Sequence, residues 1–158
     1  MRTGRDTTRT ARTTALLLLP LVLVGLTGCA DDSDDGYVDF AAYEQEYHDY
    51  AERLPLPEGD SYGELRPPEE PTEYGVDAGR VLALSSYTCF WTREYLRAHD
   101  DSDRPRRNRA EERLVAGLKD PMIKYSVGNP EREALDEARL GDLTKFRQEV
   151  AANCPEGS

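Results

Sequence analysis

Val81-Leu82-Ala83-Leu84-Ser85-Ser86-Tyr87-Thr88-Cys89-Phe90-Trp91-Thr92-Arg93-Glu94-Tyr95-Leu96 carries large apolar side chains at steps of three and four. Val81, Leu82, Leu84, Tyr87, Phe90, Trp91, Tyr95 and Leu96 cover more than one face of a helix. A helix apolar nearly all round needs neighbours on more than one side, so residues 77–99 are predicted to form the central helix. Asp77 suits its N-cap, and Arg97 and His99 suit the negative end of its dipole. Cys89 lies in the middle of it.

On the C-terminal side, Asp100 to Arg104 reads as a turn. Residues 106–118 read as a helix with Ala110, Leu114, Val115 and Leu118 inward; Gly117 weakens its end and Pro121 stops it. Residues 122–129 suit a short extended link. Residues 130–153 read as the last helical segment, capped by Asn129, opened by Pro130 and divisible at Gly141. Leu135, Ala138, Leu143, Phe146 and Val150 face inward there, and Cys154 falls on the same face, where it can reach Cys89.

On the N-terminal side, residues 55–75 hold five prolines and three glycines. This is a long connection without regular structure, either an extended strap packed by Tyr62, Leu65 and Tyr74 or a mobile loop. Before it, residues 37–54 carry Phe40, Tyr43, Tyr47, Tyr50 and Leu54 on one helical stripe, and Leu54-Pro55 ends the helix. No internal repeat is present. The expected fold is all-α: a small bundle of about four helices over residues 37–158, with a long Pro-rich loop and one disulfide.

The chain opens with Arg2, Arg5, Arg9 and Arg12, then the apolar run Ala15 to Leu26, then Leu26-Thr27-Gly28-Cys29. Basic, apolar and small-residue segments in that order form a secretory signal. About a dozen apolar residues with Pro20 among them fall short of the roughly 20 that span a bilayer. The last four residues resemble the lipobox of bacterial lipoproteins. The resemblance implies that residues 1–28 are a signal peptide that is removed and that Cys29 carries a diacylglyceryl thioether. It also implies that the mature chain is anchored to the extracytoplasmic face of the membrane by those two acyl chains. Residues 29–36 would be the lipidated cysteine and a charged, extended tether. The whole composition, rich in Arg and poor in Lys, is similar to that of small lipoproteins of high-GC Gram-positive bacteria.

Beyond residue 28 there remain 16 basic against 30 acidic residues, a charge near −14. Such a surface does not seek nucleic acid, which needs clustered positive charge. About 130 residues suffice for one domain and are too few for two ligand-binding lobes. With Cys29 used by lipid, Cys89 and Cys154 remain, and an even remainder in an exported protein favours a disulfide. It would close a loop of about 65 residues and stabilise the fold by roughly 4 kcal/mol on the chain-entropy account.

Candidate sites are few. Arg104, Arg106, Arg107, Arg109 and Arg113 are the only concentrated positive run and could meet anionic wall polymers. The simpler expectation is that Asp100, Asp101, Asp103, Glu111 and Glu112 neutralise them. Tyr43, Tyr47 and Trp91 could line a ligand groove, although core packing is the plainer role for a stripe of that spacing. Asp31, Ser33, Asp35 and Gly36 match the start of a calcium loop, but its twelfth position is Ala42 instead of glutamate, so a solvated tether is expected. His48 and His99 have no metal-site spacing, and no nucleophile elbow, phosphate loop or dinucleotide fingerprint occurs. No cofactor is implied. The expected function is that of a non-enzymatic binding or interaction module in the cell envelope, meeting a protein or wall polymer through the 55–75 loop or the face around Arg106. Two alternatives are a carrier of a small apolar ligand between the helices and an envelope hydrolase using paired carboxylates.

Overall fold

Asp39 begins the first helix by accepting the amide of Ala42 on its carboxylate at 2.9 Å. The computed structural model describes residues 36–125 and 130–154. The leader, Cys29, the tether up to Asp35 and the expected cap Asn129 lie outside the described residues. The elements run β1 (Tyr37–Val38), α1 (Phe40–Ala51), β2 (Tyr74–Gly75), α2 (Ala78–Asp100), α3 (Arg104–Gly117), a 3-10 turn (Pro121–Tyr125), α4 (Pro130–Arg139) and α5 (Thr144–Asn153). The fold is all-α with one minute antiparallel ribbon, in which Tyr37 faces Gly75 and Val38 faces Tyr74.

Helix α2 is central, as its all-round apolar surface requires. On one side α1 crosses its first turn at Gly79. A Cβ there would stand 2.8 Å from the Tyr47 nitrogen and the Glu46 Cβ, so only glycine admits this crossing. Tyr47 and Ala51 of α1 close with Ala83 on a small cluster beside Tyr62 and Leu65. On the other side Leu84, Tyr87, Trp91 and Tyr95 meet Ala110, Leu114 and Leu118 after the turn, and Leu135, Ala138 and Phe146 from α4 and α5. The buried polar tips find partners: the Tyr87 hydroxyl donates to the Arg113 carbonyl at 2.8 Å and the Tyr95 hydroxyl to the Ala138 carbonyl at 3.3 Å. Cys89 and Cys154 form the expected disulfide, with Cα atoms 5.5 Å apart, and it clips the end of α5 to the middle of α2.

Several local expectations are corrected. Residues 37 and 38 are strand, because they pair across the sequence with the end of the proline-rich segment. Helix α1 stops at Ala51, where bonds from Arg53 to Tyr50 and Leu54 to Ala51 tighten its last turn. Asp77 takes the N-cap position of α2 as expected, but its carboxylate makes no capping bond; its backbone is left-handed (φ 70°) and its carboxylate pairs with Arg80 at 2.7 Å. Helix α3 begins at Arg104, capped by Asp103. The start of the expected extended link is the 3-10 turn, set by Asp120 accepting the Met122 amide at 2.8 Å while Met122 is buried. The last segment does divide at Gly141, as expected of that glycine, with φ 96°, and the described residues hold five α-helices.

The 55–75 segment is a strap, not a mobile loop. The Trp91 indole donates to the Pro55 carbonyl at 2.9 Å, the Tyr62 hydroxyl to the Leu54 carbonyl at 2.9 Å, and Arg97 meets Asp60 at 3.2 Å. Tyr74 closes it by stacking on Tyr43, ring centroids 4.1 Å apart.

Candidate functional site

The strap and the arginine-bearing face of α3 meet over the middle of α2. Pro57 and Glu58 of the strap, Trp91, Glu94 and Arg97 of α2, and Arg106 and Arg109 of α3 line one open cleft of about 280 Å³. Its frame is a chain of ion pairs. Arg106 grips Glu94 with two nitrogens, Nε to Oε1 at 2.8 Å and Nη2 to Oε2 at 3.1 Å, and reaches Asp101 at 3.1 Å with Nη1. Arg97 joins Glu94 at 3.1 Å to Asp60 at 3.2 Å. Asp60, Arg97, Glu94, Arg106 and Asp101 thus link strap, α2 and the turn before α3. Bidentate arginine–carboxylate pairing fixes direction as well as distance.

The Glu94 side chain is only 12% exposed. The Arg106 hydrogen bond, and then the charges of Arg106 and Arg97, hold its carboxyl below the usual glutamate range against the opposing pull of burial. The same bond holds Arg106 firmly cationic. A carboxylate kept ionised in this way positions neighbours and cannot serve as a general acid near neutral pH. No serine, threonine, cysteine or histidine lines the cleft. What the cleft presents is a buried tryptophan, one proline and fixed charges.

The five arginines of the expected anion patch are not brought together. At about 100° per residue, Arg106, Arg109 and Arg113 share one face of α3, while Arg104 and Arg107 start about 100–160° round the helix. Among the described residues Arg106 is the one member with a carboxylate within 4 Å; Arg113 lies with its guanidinium 5.9 Å from the Trp91 ring centroid. The neutralisation expected from neighbours is partial and differently wired. Asp100 pairs with Arg147 and Glu111 with Arg139, Asp103 caps α3, and the main partner of Arg106 is Glu94. Glu94 and Arg97 were not among the sequence candidates. Their signal was present, since charges one turn apart inside an otherwise apolar helix require a charged partner from elsewhere.

Tyr43, Tyr47 and Trp91 do not surround a common cavity. Tyr43 stacks on Tyr74, Tyr47 is 3% exposed in the small cluster, and Trp91 is 4% exposed in the main core. His48 is exposed beside the Tyr47 ring, and His99 Nδ1 lies 3.6 Å from Asp100. Among the described residues no group of three or more histidines, cysteines or acids is placed to hold a metal ion, and no helix is long and apolar enough to cross a membrane. An apolar cleft between Leu114, Leu118, Leu135 and Phe146 holds about 30 Å³ of space. It opens toward a second cleft beside Cys89, and Glu131 and Glu149 line both. No family model, no curated protein and no solved structure matches the chain.

Proposed function

We propose that this chain is a lipid-anchored protein on the extracytoplasmic face of a bacterial membrane. We propose further that it works as a non-enzymatic binding module, engaging an envelope protein or wall polymer at the cleft between strap and α3. The observation that carries the reading is the convergence of two segments far apart in sequence. Pro57 and Glu58 of the 55–75 segment and Arg106 and Arg109 of α3 line one cleft, and a chain of ion pairs braces it. The leader ending in Leu26-Thr27-Gly28-Cys29 supports the location. The small apolar cleft between Leu114, Leu135 and Phe146 supports a surface role over a carrier, because about 30 Å³ admits no ligand beyond the size of a water molecule.

The test is photocrosslinking in intact cells from probes at Glu58 and Arg109, with Arg132 on α4 as control. A discrete adduct is expected from the first two positions and not from the third, and Cys29→Ala should release the protein from the membrane and abolish it. Adducts from Arg132 alone would sink the assignment of the cleft. The hydrolase alternative would draw on Glu131 and Glu149, which line the same two clefts, and is separable. It requires the purified domain to cleave a wall glycan and Glu149→Gln to stop it, neither of which the binding module entails.

A further inference from the structure

We infer that the β1–β2 ribbon is the part of the domain that touches the bilayer surface, an inference that rests on the lipid anchor at Cys29 proposed above. Among the described residues three large apolar side chains are exposed: Tyr37 at 64%, Val76 at 52% and Leu140 at 90%. Two of the three stand on this ribbon and its continuation. The pairing explains their exposure. Tyr37 has Gly75 across from it, and Val76 donates its amide to the Gly36 carbonyl at 3.0 Å. Each apolar side chain therefore faces a residue with nothing to cover it. A side chain begun at Gly36 or Gly75 would meet nothing within 4 Å, so the space beside both is open. Cross-strand partners share a face and successive residues alternate, so Tyr37 leaves the ribbon on one face and Val76 on the other, and the two flank its open end. On the face of Val76, Tyr74 stacks on Tyr43 and leans on Phe40, ring centroids 4.1 and 6.2 Å apart, which seats the ribbon on an ordered aromatic base.

The length of chain before the ribbon names the occupant. Six residues lie between Cys29 and Gly36, and the seven steps they make reach at most about 25 Å when fully extended. An acylated Cys29 sits at the headgroups, so the ribbon cannot lie farther than that from the membrane. A tether of this length makes even a weak contact effectively intramolecular. Tyrosine suits an interface, with its ring on the apolar side and its hydroxyl in water. Asp31, Asp32, Asp34, Asp35 and Asp39 lie near the ribbon in sequence, so apolar burial must supply the attraction, and anionic headgroups weaken it.

The test uses the processed, lipidated protein carrying Tyr37→Cys, Val76→Cys or Leu140→Cys. With Cys89 bonded to Cys154 and Cys29 acylated, the new thiol is the one available for a fluorophore. Each variant is reconstituted into phosphatidylcholine vesicles that contain a lipid with a nitroxide high on its acyl chain. Labels at 37 and 76 are expected to be quenched at least about two-fold more than the label at 140, the equally apolar control, because only the first two reach the interface. Adding phosphatidylglycerol should reduce the difference. Equal quenching at all three positions, with intact mass showing the lipid on Cys29, overturns the ribbon contact and leaves the anchor standing. Disulfide-linked dimers of Y37C in place of quenching assign the surface to a second copy and overturn it too. An intact mass without lipid overturns the anchor and this inference with it.

Discussion

Glu94 is held by two arginines, so its removal tests how the candidate cleft is built. Its folded-state pKa is depressed, chiefly by Arg106. A depressed carboxyl contributes stability that is present above the unfolded value, about 4.3 for glutamate, and lost as the pH falls through the lower folded value. Glu94→Gln should therefore be less stable than the parent at pH 7, and the gap should begin to narrow as the pH falls below the unfolded value, about 4.3, and close only once it has passed through the lower folded value. Thermal melts of both proteins across pH 3–7 check this; a gap that does not narrow toward the acid end excludes the pairing. Gly79 acts through space. A methyl there would press on the backbone of α1 at Tyr47, which cannot turn aside as a flexible side chain can. Overpacking typically costs about 1–3 kcal/mol, more than the gain of up to 1 kcal/mol in helix propensity. Gly79→Ala should lower the denaturant midpoint in an equilibrium urea titration, although alanine is the better helix former. At this scale the sequence was partly readable. The apolar identity of Tyr87, Trp91 and Leu135 marked them as core, but nothing adjacent to Gly79 announced a crossing helix.

At the scale of elements, α5 depends on its clip. It is ten residues long, too short to be stable alone, and Phe146 is its one fully buried side chain. The Cys89–Cys154 bridge supplies what its packing lacks. Cys154→Ser should cost roughly 4 kcal/mol by the chain-entropy estimate, and its first sign should be faster amide exchange over residues 144–153 than over α2. Uniform acceleration along the whole chain would show instead that α5 and α2 open as one unit. The helices themselves were legible because an apolar stripe repeats within a few residues and survives any tertiary context. The ribbon was not. Two strands of two residues each have no period to read, and they exist because Tyr37 meets Gly75 across the whole of α1 and the strap. The break at Gly141 was legible as a weak point, and its φ of 96° shows why the chain turns there.

Across the described residues, burial acts on six tyrosine hydroxyls at once. Tyr43, Tyr47, Tyr50, Tyr62, Tyr87 and Tyr95 all have pKa values raised, in each case first by burial. Tyr50 is pushed up to about 12, helped by the hydrogen bond it donates to Asp120 at 2.6 Å. A raised folded value means that the contribution is complete below the unfolded value, about 10, and is lost as pH rises through the folded one. The fold should therefore weaken above pH about 10, with tyrosinate absorbance appearing late and together with loss of helix. Smooth titration at pH about 10 with the helix intact would show that these hydroxyls are open to water. The same surface carries the candidate cleft and, at the ribbon, the two exposed side chains opposite glycines. Both lie on the outside of the domain, where the proposed binding would take place.

The sequence by itself determined where the helices lie, that α2 is central, and that Cys89 and Cys154 share an inward face. These follow from local periodicity and from elimination among three cysteines, which need no knowledge of distant contacts. It also supplied the leader on which the proposed location rests. Only the tertiary structure decided that Glu94 holds Arg106, that five arginines divide between two faces of α3, and that the strap closes on Trp91 to join that face in one cleft. Such pairings link residues 12 to 37 positions apart. Their partners are chosen by how helices cross, and no short stretch of chain encodes that choice.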